Sequence, residues 1–297
     1  VGWFEDRGGL AGTVAVISGG AGGIGGAVTT DLAANGVRLA VIDIDGPAVE
    51  ALRATLKEQG ADAIVHHGDA RDPEELTRLF TAVDEAWGRL DTLVNVVGGT
   101  FRAPFVETRP KGWDALIRQN LTHILHTCSL AVPRMQAGGR GGSIVNLTTV
   151  EAHRAAPGFA VYAAAKAAVE QFGRTLAVEV APSGIRVNNV APDYTPTPNM
   201  QKMSGGGDNA YSTPVGVRVG IPMGRPGDVT DVSGCVVFLA SALSAYVTGT
   251  TLHPDGGTYA SSGWLNWPKV GWSNHAPAHV LAAVDPATGR PVALGDE

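Results

Sequence analysis

Tyr162 stands four residues before Lys166 in "VYAAAK", a run otherwise almost all alanine, and Thr148 and Thr149 lie fourteen and thirteen residues upstream of the tyrosine. On a helix, residues i and i+4 share a face about one turn apart, so the phenol and the amine can project into one site. A phenol with an ordinary pKa of about 10 is mostly protonated at neutral pH, and a nearby cation favours its phenolate, making it a usable acid or base. Lys166 is expected to provide that cation. The pair points to proton transfer at a substrate oxygen, and the two threonines upstream pose the question of whether a hydroxyl takes part. A surface Tyr and Lys that merely share a face have the same spacing, so their place in the fold decides between the two.

The elements that must position them come in strict alternation. Short β-branched runs are "TVAVIS" (13–18), "RLAVID" (38–43), "AIVHHG" (63–68), "TLVNVV" (92–97), "SIVNLT" (143–148), "IRVNNV" (185–190) and "GTTLHP" (249–254). Helix-length stretches at 24–35, 47–59, 73–87, 111–136, 159–181 and 228–242 separate them. This rhythm predicts right-handed βαβ units, hence an α/β, Rossmann-type, doubly wound parallel seven-stranded sheet whose strands are apolar on both faces. One domain at 11–257 is expected, with an N-terminal arm at 1–10 and a C-terminal extension at 258–297. Residues 193–227, rich in Pro, Gly and Ser, break the rhythm and read as a substrate lid because the βα pattern resumes after them.

The first strand runs straight into "GGAGGIGGAV" (19–28) and then a helix, the context in which a glycine-rich match is meaningful. Gly19, Gly22, Gly23 and Gly25, with Ile24, allow a tight turn whose backbone N–H groups and helix N-terminus attract a pyrophosphate. The second strand ends at Asp43, followed by Ile44 and Asp45. A carboxylate there accepts from the adenosine ribose hydroxyls and repels a 2′-phosphate, which favours NAD over NADP. Asp69 and Ala70, after the third strand, are expected at the adenine edge; an Asp at that position also suits a helix start.

Together these segments resemble the short-chain dehydrogenase/reductase family over about residues 10–260. "SGGAGGIG" (18–25) is similar to the family's TGxxxGIG loop, "NVVG" (95–98) to NNAG, "YAAAK" (162–166) to YxxxK, and "PDGG" (254–257) to the family's usual end. The resemblance implies a catalytic set of Asn120, Thr149, Tyr162 and Lys166, in which Asn120 holds a water linking Lys166 to solvent. It also implies that Tyr162 and Lys166 border the nicotinamide ribose, that Asn95, Val97 and Gly98 line the cofactor, and that Pro192, Thr195 and Thr197 wrap its nicotinamide end. Homodimers or homotetramers built on the helix of Tyr162 are implied as well. Three departures stand out. Thr149 occupies the place of the usual serine, with the same donor and acceptor capacity and a stiffer χ1. Val96 and Val97 replace a small polar pair. Asp193 replaces a glycine, which alters the lid hinge or brings a carboxylate near the substrate.

Composition narrows the partners. Glycine makes up 40 of 297 residues, well above the usual share of about 7%, yet without a collagen period. A formal net charge of −6 gives no basic field for nucleic acid or anionic lipid, leaving a small molecule as the expected partner. Cys128 and Cys235 are the only cysteines and are read as reduced core-filling thiols, which suits the cytoplasm. Neither a signal sequence nor a membrane span is expected. His275 and His279 lack an acidic or thiol companion, and Pro277 stands between them, so no metal site is expected.

Past "PDGG" the chain carries Trp264, Trp267 and Trp272, more apolar area than water tolerates without a covering surface. A lid over this or a neighbouring pocket and a subunit contact both fit. Met200, Met203, Tyr211, Val215, Val217 and Val219 give the lid an apolar character. The expected function is NAD-dependent interconversion of a secondary alcohol and a ketone, on an apolar, alicyclic or steroid-like substrate. A 3-oxoacyl carrier-protein or acyl-CoA type reductase is the enzymatic alternative, and a catalytically silent NAD-binding regulator the alternative of another class.

Overall fold

The computed structural model describes residues 2–198, 200 and 213–283. Its centre is a parallel sheet of β1 (Val14–Ser18), β2 (Arg38–Asp43), β3 (Ala63–His67), β4 (Thr92–Asn95), β5 (Gly142–Leu147), β6 (Ile185–Val190) and β7 (Thr251–Leu252). The strand order is β3-β2-β1-β4-β5-β6-β7, and every pairing is parallel. The seven strands stand where the β-branched runs lie. The seventh is the shortest.

Alternation along each strand feeds two cores. Val14 and Val16 of β1 join α4 (Pro73–Trp87), the helix His123–Gly138 and α7 (Ala160–Val180) on one face. Ala15 and Ile17 join α2 (Gly23–Ala34), α3 (Gly46–Glu58) and the helix Val229–Ala240 on the other. Because both faces are covered, β1 is buried at every position. Helix starts follow local chemistry. Asp45 caps α3 through Ala48 N, Asp72 caps α4 through Glu74 N, and in each case a proline follows in the first turn.

Beneath the carboxyl ends of the strands runs a row of side-chain hydrogen bonds. Ser18 Oγ donates to Asn95 Oδ1 at 3.3 Å, Asn95 Nδ2 to Asn146 Oδ1 at 2.9 Å, Asn146 Nδ2 to Asn189 Oδ1 at 3.3 Å, and Asn189 Nδ2 to Thr251 Oγ1 at 3.4 Å. These residues are register partners on successive strands, so parallel pairing without slippage aligns the amides. Gly173 lets α7 approach this row: a Cβ there would stand 3.1 Å from Asn189 Oδ1.

Three regions differ from expectation. The N-terminal arm contains a helix at Trp3–Gly8. The helix expected at 111–136 spans Pro110–Gly138 and is interrupted by a π-turn at Arg118–Thr122. In the C-terminal extension, Leu265–Trp267 pairs antiparallel with Gly271–Ser273, and this hairpin packs against the lid helix Pro214–Gly220. Trp264 and Trp272 remain about half exposed, while the Trp267 indole nitrogen is buried. Within the lid, Val217 is buried and Val215 exposed; Met203 and Tyr211 lie outside the described residues. Among the described residues, no helix is long and apolar enough to cross a membrane.

Candidate active site

β1 and β4 are neighbours from which the chain winds outward in opposite directions, which opens a crevice at their carboxyl ends. The glycine loop enters it after β1. Gly19 adopts φ +75°, and a Cβ on it would meet Val97 N and Cγ2 at 2.9 Å. A Cβ on Gly25 would fall 1.9 Å from Gly19 O, so only glycine permits this turn. Gly22 caps α2 without a side-chain hydrogen bond, leaving the first-turn amides of Gly23, Ile24 and Gly25 available to an anion. Thr197 from the lid root reaches the same corner, about 3.2 Å from where a Gly23 Cβ would be.

Asp43 accepts from Ala21 N at 2.9 Å and Asp45 N at 3.1 Å, which fixes its carboxylate beside the loop with lone pairs left for hydroxyls. Ile44 beside it is exposed. Asp69 is clasped by the Arg71 guanidinium at 2.7 to 3.0 Å, which holds its carboxyl below the usual range; Ala70 is buried. Asn95 is fully buried, and its amide is engaged by Ser18, Thr127 and Asn146. That places it as a support beneath the crevice, where the resemblance implied a lining residue. Pro192 O accepts from Val150 N at 3.2 Å, and Thr195 is buried with a hydroxyl that finds no partner among the described residues. The open helix N-terminus, the glycine cradle, the carboxylate at Asp43 and the unpartnered Thr195 hydroxyl fit a dinucleotide with a polar nicotinamide end.

The residues expected to transfer a proton converge from three elements. Tyr162 and Lys166 occupy successive turns of α7. The Tyr162 phenol faces the Thr149 hydroxyl, whose residue opens the 3₁₀ turn Val150–Ala152 after β5. Lys166 is buried, and its Nζ donates to Leu147 O at 2.8 Å. Asn120 sits in the π-turn, where His123 N reaches back five residues to Arg118 O. Its amide donates to Gly99 O at 2.8 Å and Leu116 O at 2.9 Å and accepts from Gly99 N at 3.2 Å. A Cβ on Gly98 would stand 3.1 Å from both Asn120 Oδ1 and Lys166 Nζ, so these two polar groups flank one point behind the crevice.

The electrostatics of the chain alone run against a ready phenolate: burial pushes the Tyr162 phenol up to about 12, the Thr149 hydroxyl draws it partly down, and the Glu151 charge adds to the rise. Burial also lowers the Lys166 ammonium to about 8. The amine is turned to the Leu147 carbonyl.

Thr148 serves elsewhere, donating to buried Glu170 at 2.9 Å. The sequence reading did not single out Glu170, His153, Glu151 or Arg154. His153 Nε2 stands 3.0 Å from Glu170 Oε2, and Arg154 pairs with both Glu151 and Asp193. The i, i+3 spacing of Glu151 and Arg154 was the one available signal.

A family model described as enoyl-(acyl carrier protein) reductase matches residues 19–259. The chain is 32% identical to the 3-oxoacyl-[acyl-carrier-protein] reductase of Haemophilus influenzae over 252 residues, 85% of this chain and 100% of that one. It is 35% identical to the cyclohexanol dehydrogenase of a Rhodococcus species, covering 84% of this chain and 98% of that one. The solved structure of a carveol dehydrogenase from Mycobacterium avium in complex with NAD superposes with a TM-score of 0.78 at 33% identity, over 85% of this chain and 99% of that one.

Proposed function

The chain belongs to the short-chain dehydrogenase/reductase family of oxidoreductases, and from that premise we propose that it interconverts a secondary alcohol and a ketone with NAD, on an apolar, alicyclic or steroid-like substrate. The observation that carries this reading is the Tyr162 phenol facing the Thr149 hydroxyl with buried Lys166 one turn along α7. A nicotinamide supplies or accepts the hydride when bound. Thr149 holds the substrate oxygen. Tyr162, protonated through neutral pH, gives a proton to the ketone oxygen in reduction; in oxidation it must first lose that proton, so the oxidative direction gains with rising pH. Lys166 holds a charge close to the phenol, and Asn120 keeps its surroundings ordered through Gly99.

Asp43 supports NAD over NADP through repulsion of a 2′-phosphate, and likeness to an alicyclic alcohol dehydrogenase supports the substrate class. An apolar groove of about 370 Å³ along α7, lined by Phe105, Ile117, Leu121, Val161, Ala164 and Ala168, supports association of copies over that helix. The test is an absorbance screen of cyclic, steroid and hydroxyacyl substrates with NAD⁺ and NADP⁺. Turnover of a secondary alcohol that Tyr162→Phe abolishes while NADH binding survives is the expected result. Turnover unchanged in that variant would remove Tyr162 from the mechanism. Asp43→Ala is expected to narrow the NAD/NADP ratio.

The second reading, reduction of a 3-oxoacyl group on a carrier protein, is favoured by the likeness to the Haemophilus enzyme across its whole length. Preference for a hydroxyacyl substrate with NADP⁺ in the same screen would select it.

A further inference from the structure

Charged side chains that the alcohol chemistry does not use fasten the turn after β5 to the root of the lid. Arg154 Nη2 donates to Glu151 Oε1 and to Asp193 Oδ2, each at 2.9 Å. Glu151 and Arg154 belong to the segment opened by Thr149, and Glu151 N donates to Thr149 Oγ1 at 3.3 Å. Asp193 follows Pro192, whose carbonyl accepts from Val150 N. One guanidinium therefore spans the segment that carries Thr149 and the segment that leads into the lid.

We propose that Arg154 and Asp193 are positioning residues for the proton-transfer centre: by bridging Glu151 to the lid root, Arg154 holds Thr149 in register with Tyr162 and offsets the Glu151 charge. The proposal rests on Tyr162 and Thr149 carrying the chemistry proposed above. An exposed ion pair would add little. This one is different because the Asp193 side chain is only 12% exposed, so removing Arg154 strands a carboxylate in a confined place. Among the described residues, the ionisable groups about this centre include Lys166 on the helix of Tyr162, Glu151 and Arg154 on the turn, Asp193 on the lid root, and the His153–Glu170 pair, against which His253 and Tyr259 pack. The Glu151 charge already opposes the phenolate. Without Arg154 that opposition grows, and oxidation, which needs the phenolate, is the direction that slows.

Two readouts test this. Hydrogen exchange at the amides of Val150 and Glu151, measured on the full chain without substrate, should quicken by about tenfold or more in Arg154→Gln and little in Arg154→Lys. In alcohol oxidation, Arg154→Gln should lower kcat by about tenfold with KM nearly unchanged, and should move the rising limb of the pH profile to higher pH. Adding Glu151→Gln to that variant should return part of the lost rate, because the Glu151 charge that opposes the phenolate is gone. Unchanged exchange at Val150 and Glu151 in Arg154→Gln would overturn the proposal, as would equal losses in the Lys and Gln variants. A wild-type chain that oxidises no secondary alcohol would instead sink the functional reading, and the exchange result would still decide the fastening.

Discussion

Thr148 donates its hydroxyl to the buried carboxylate of Glu170 at 2.9 Å, whereas the hydroxyl of its neighbour Thr149 faces Tyr162, as the proposed chemistry requires. Thr149→Ala is therefore expected to lower kcat by about a hundredfold, the scale of losing one donor at a developing oxyanion. Thr148→Ala should leave kcat within a few-fold and cost about 1–3 kcal/mol of stability, because Glu170 keeps a buried, under-satisfied oxygen. Steady-state kinetics with thermal denaturation of both variants check this. Equal kinetic losses would contradict it.

The buried ammonium of Lys166 makes a pH-dependent prediction. Its pKa is lowered to about 8 from an ordinary value of 10.5, so the folded chain disfavours the charged form. The cost is fully present below pH 8, where both folded and unfolded chains are charged, and is relieved as pH rises to the unfolded value. Wild type should thus gain up to about 3 kcal/mol over Lys166→Met between pH 7 and 10.5. Denaturant midpoints of the two proteins across that interval provide the measurement; a constant difference would mean that the amine is not desolvated.

Gly25→Ala should abolish dinucleotide binding, because its Cβ would fall 1.9 Å from Gly19 O and the loop must open. Gly234 has open space around the same atom, so Gly234→Ala is the control. Calorimetric titration with NADH separates them. Tight binding by Gly25→Ala would show that the loop tolerates a different turn.

Truncation after Ser262 removes the hairpin that packs on Pro214–Gly220. The expected result is a KM raised by about three- to tenfold with NADH affinity preserved, since the lid helix loses its cover while the glycine loop keeps its own. Light scattering on the same sample tests the competing role in subunit contact: an unchanged KM with a smaller oligomer would favour it.

The strands were legible because β-branched runs bounded by glycine and aspartate leave few alternatives, and Tyr162 and Lys166 because a four-residue spacing on a long helix has one geometric meaning. The π-turn at Arg118–Thr122 was not. It depends on Asn120 reaching Gly99, a tertiary bond between residues 21 apart in sequence. The Arg154–Asp193 bridge spans 39 residues and gives no local signal at Asp193. The Trp267–Gly271 turn needs a positive φ of 63° at Lys269, a conformation that sequence patterns assign to glycine or asparagine. The rise at Tyr162 was not legible for another reason: spacing fixes its nearness to Lys166, while burial, invisible in spacing, sets the direction of the shift.

The row from Ser18 through Asn95, Asn146 and Asn189 to Thr251 runs its donors one way across five strands. An inserted leucine at Asn146 would strand a donor on one neighbour and an acceptor on the other at once, so errors there come in pairs. Such a row resists piecemeal drift. Lineages that alter one of its members are expected to alter the adjacent strand as well, leaving correlated substitutions at 95, 146 and 189 as its historical trace.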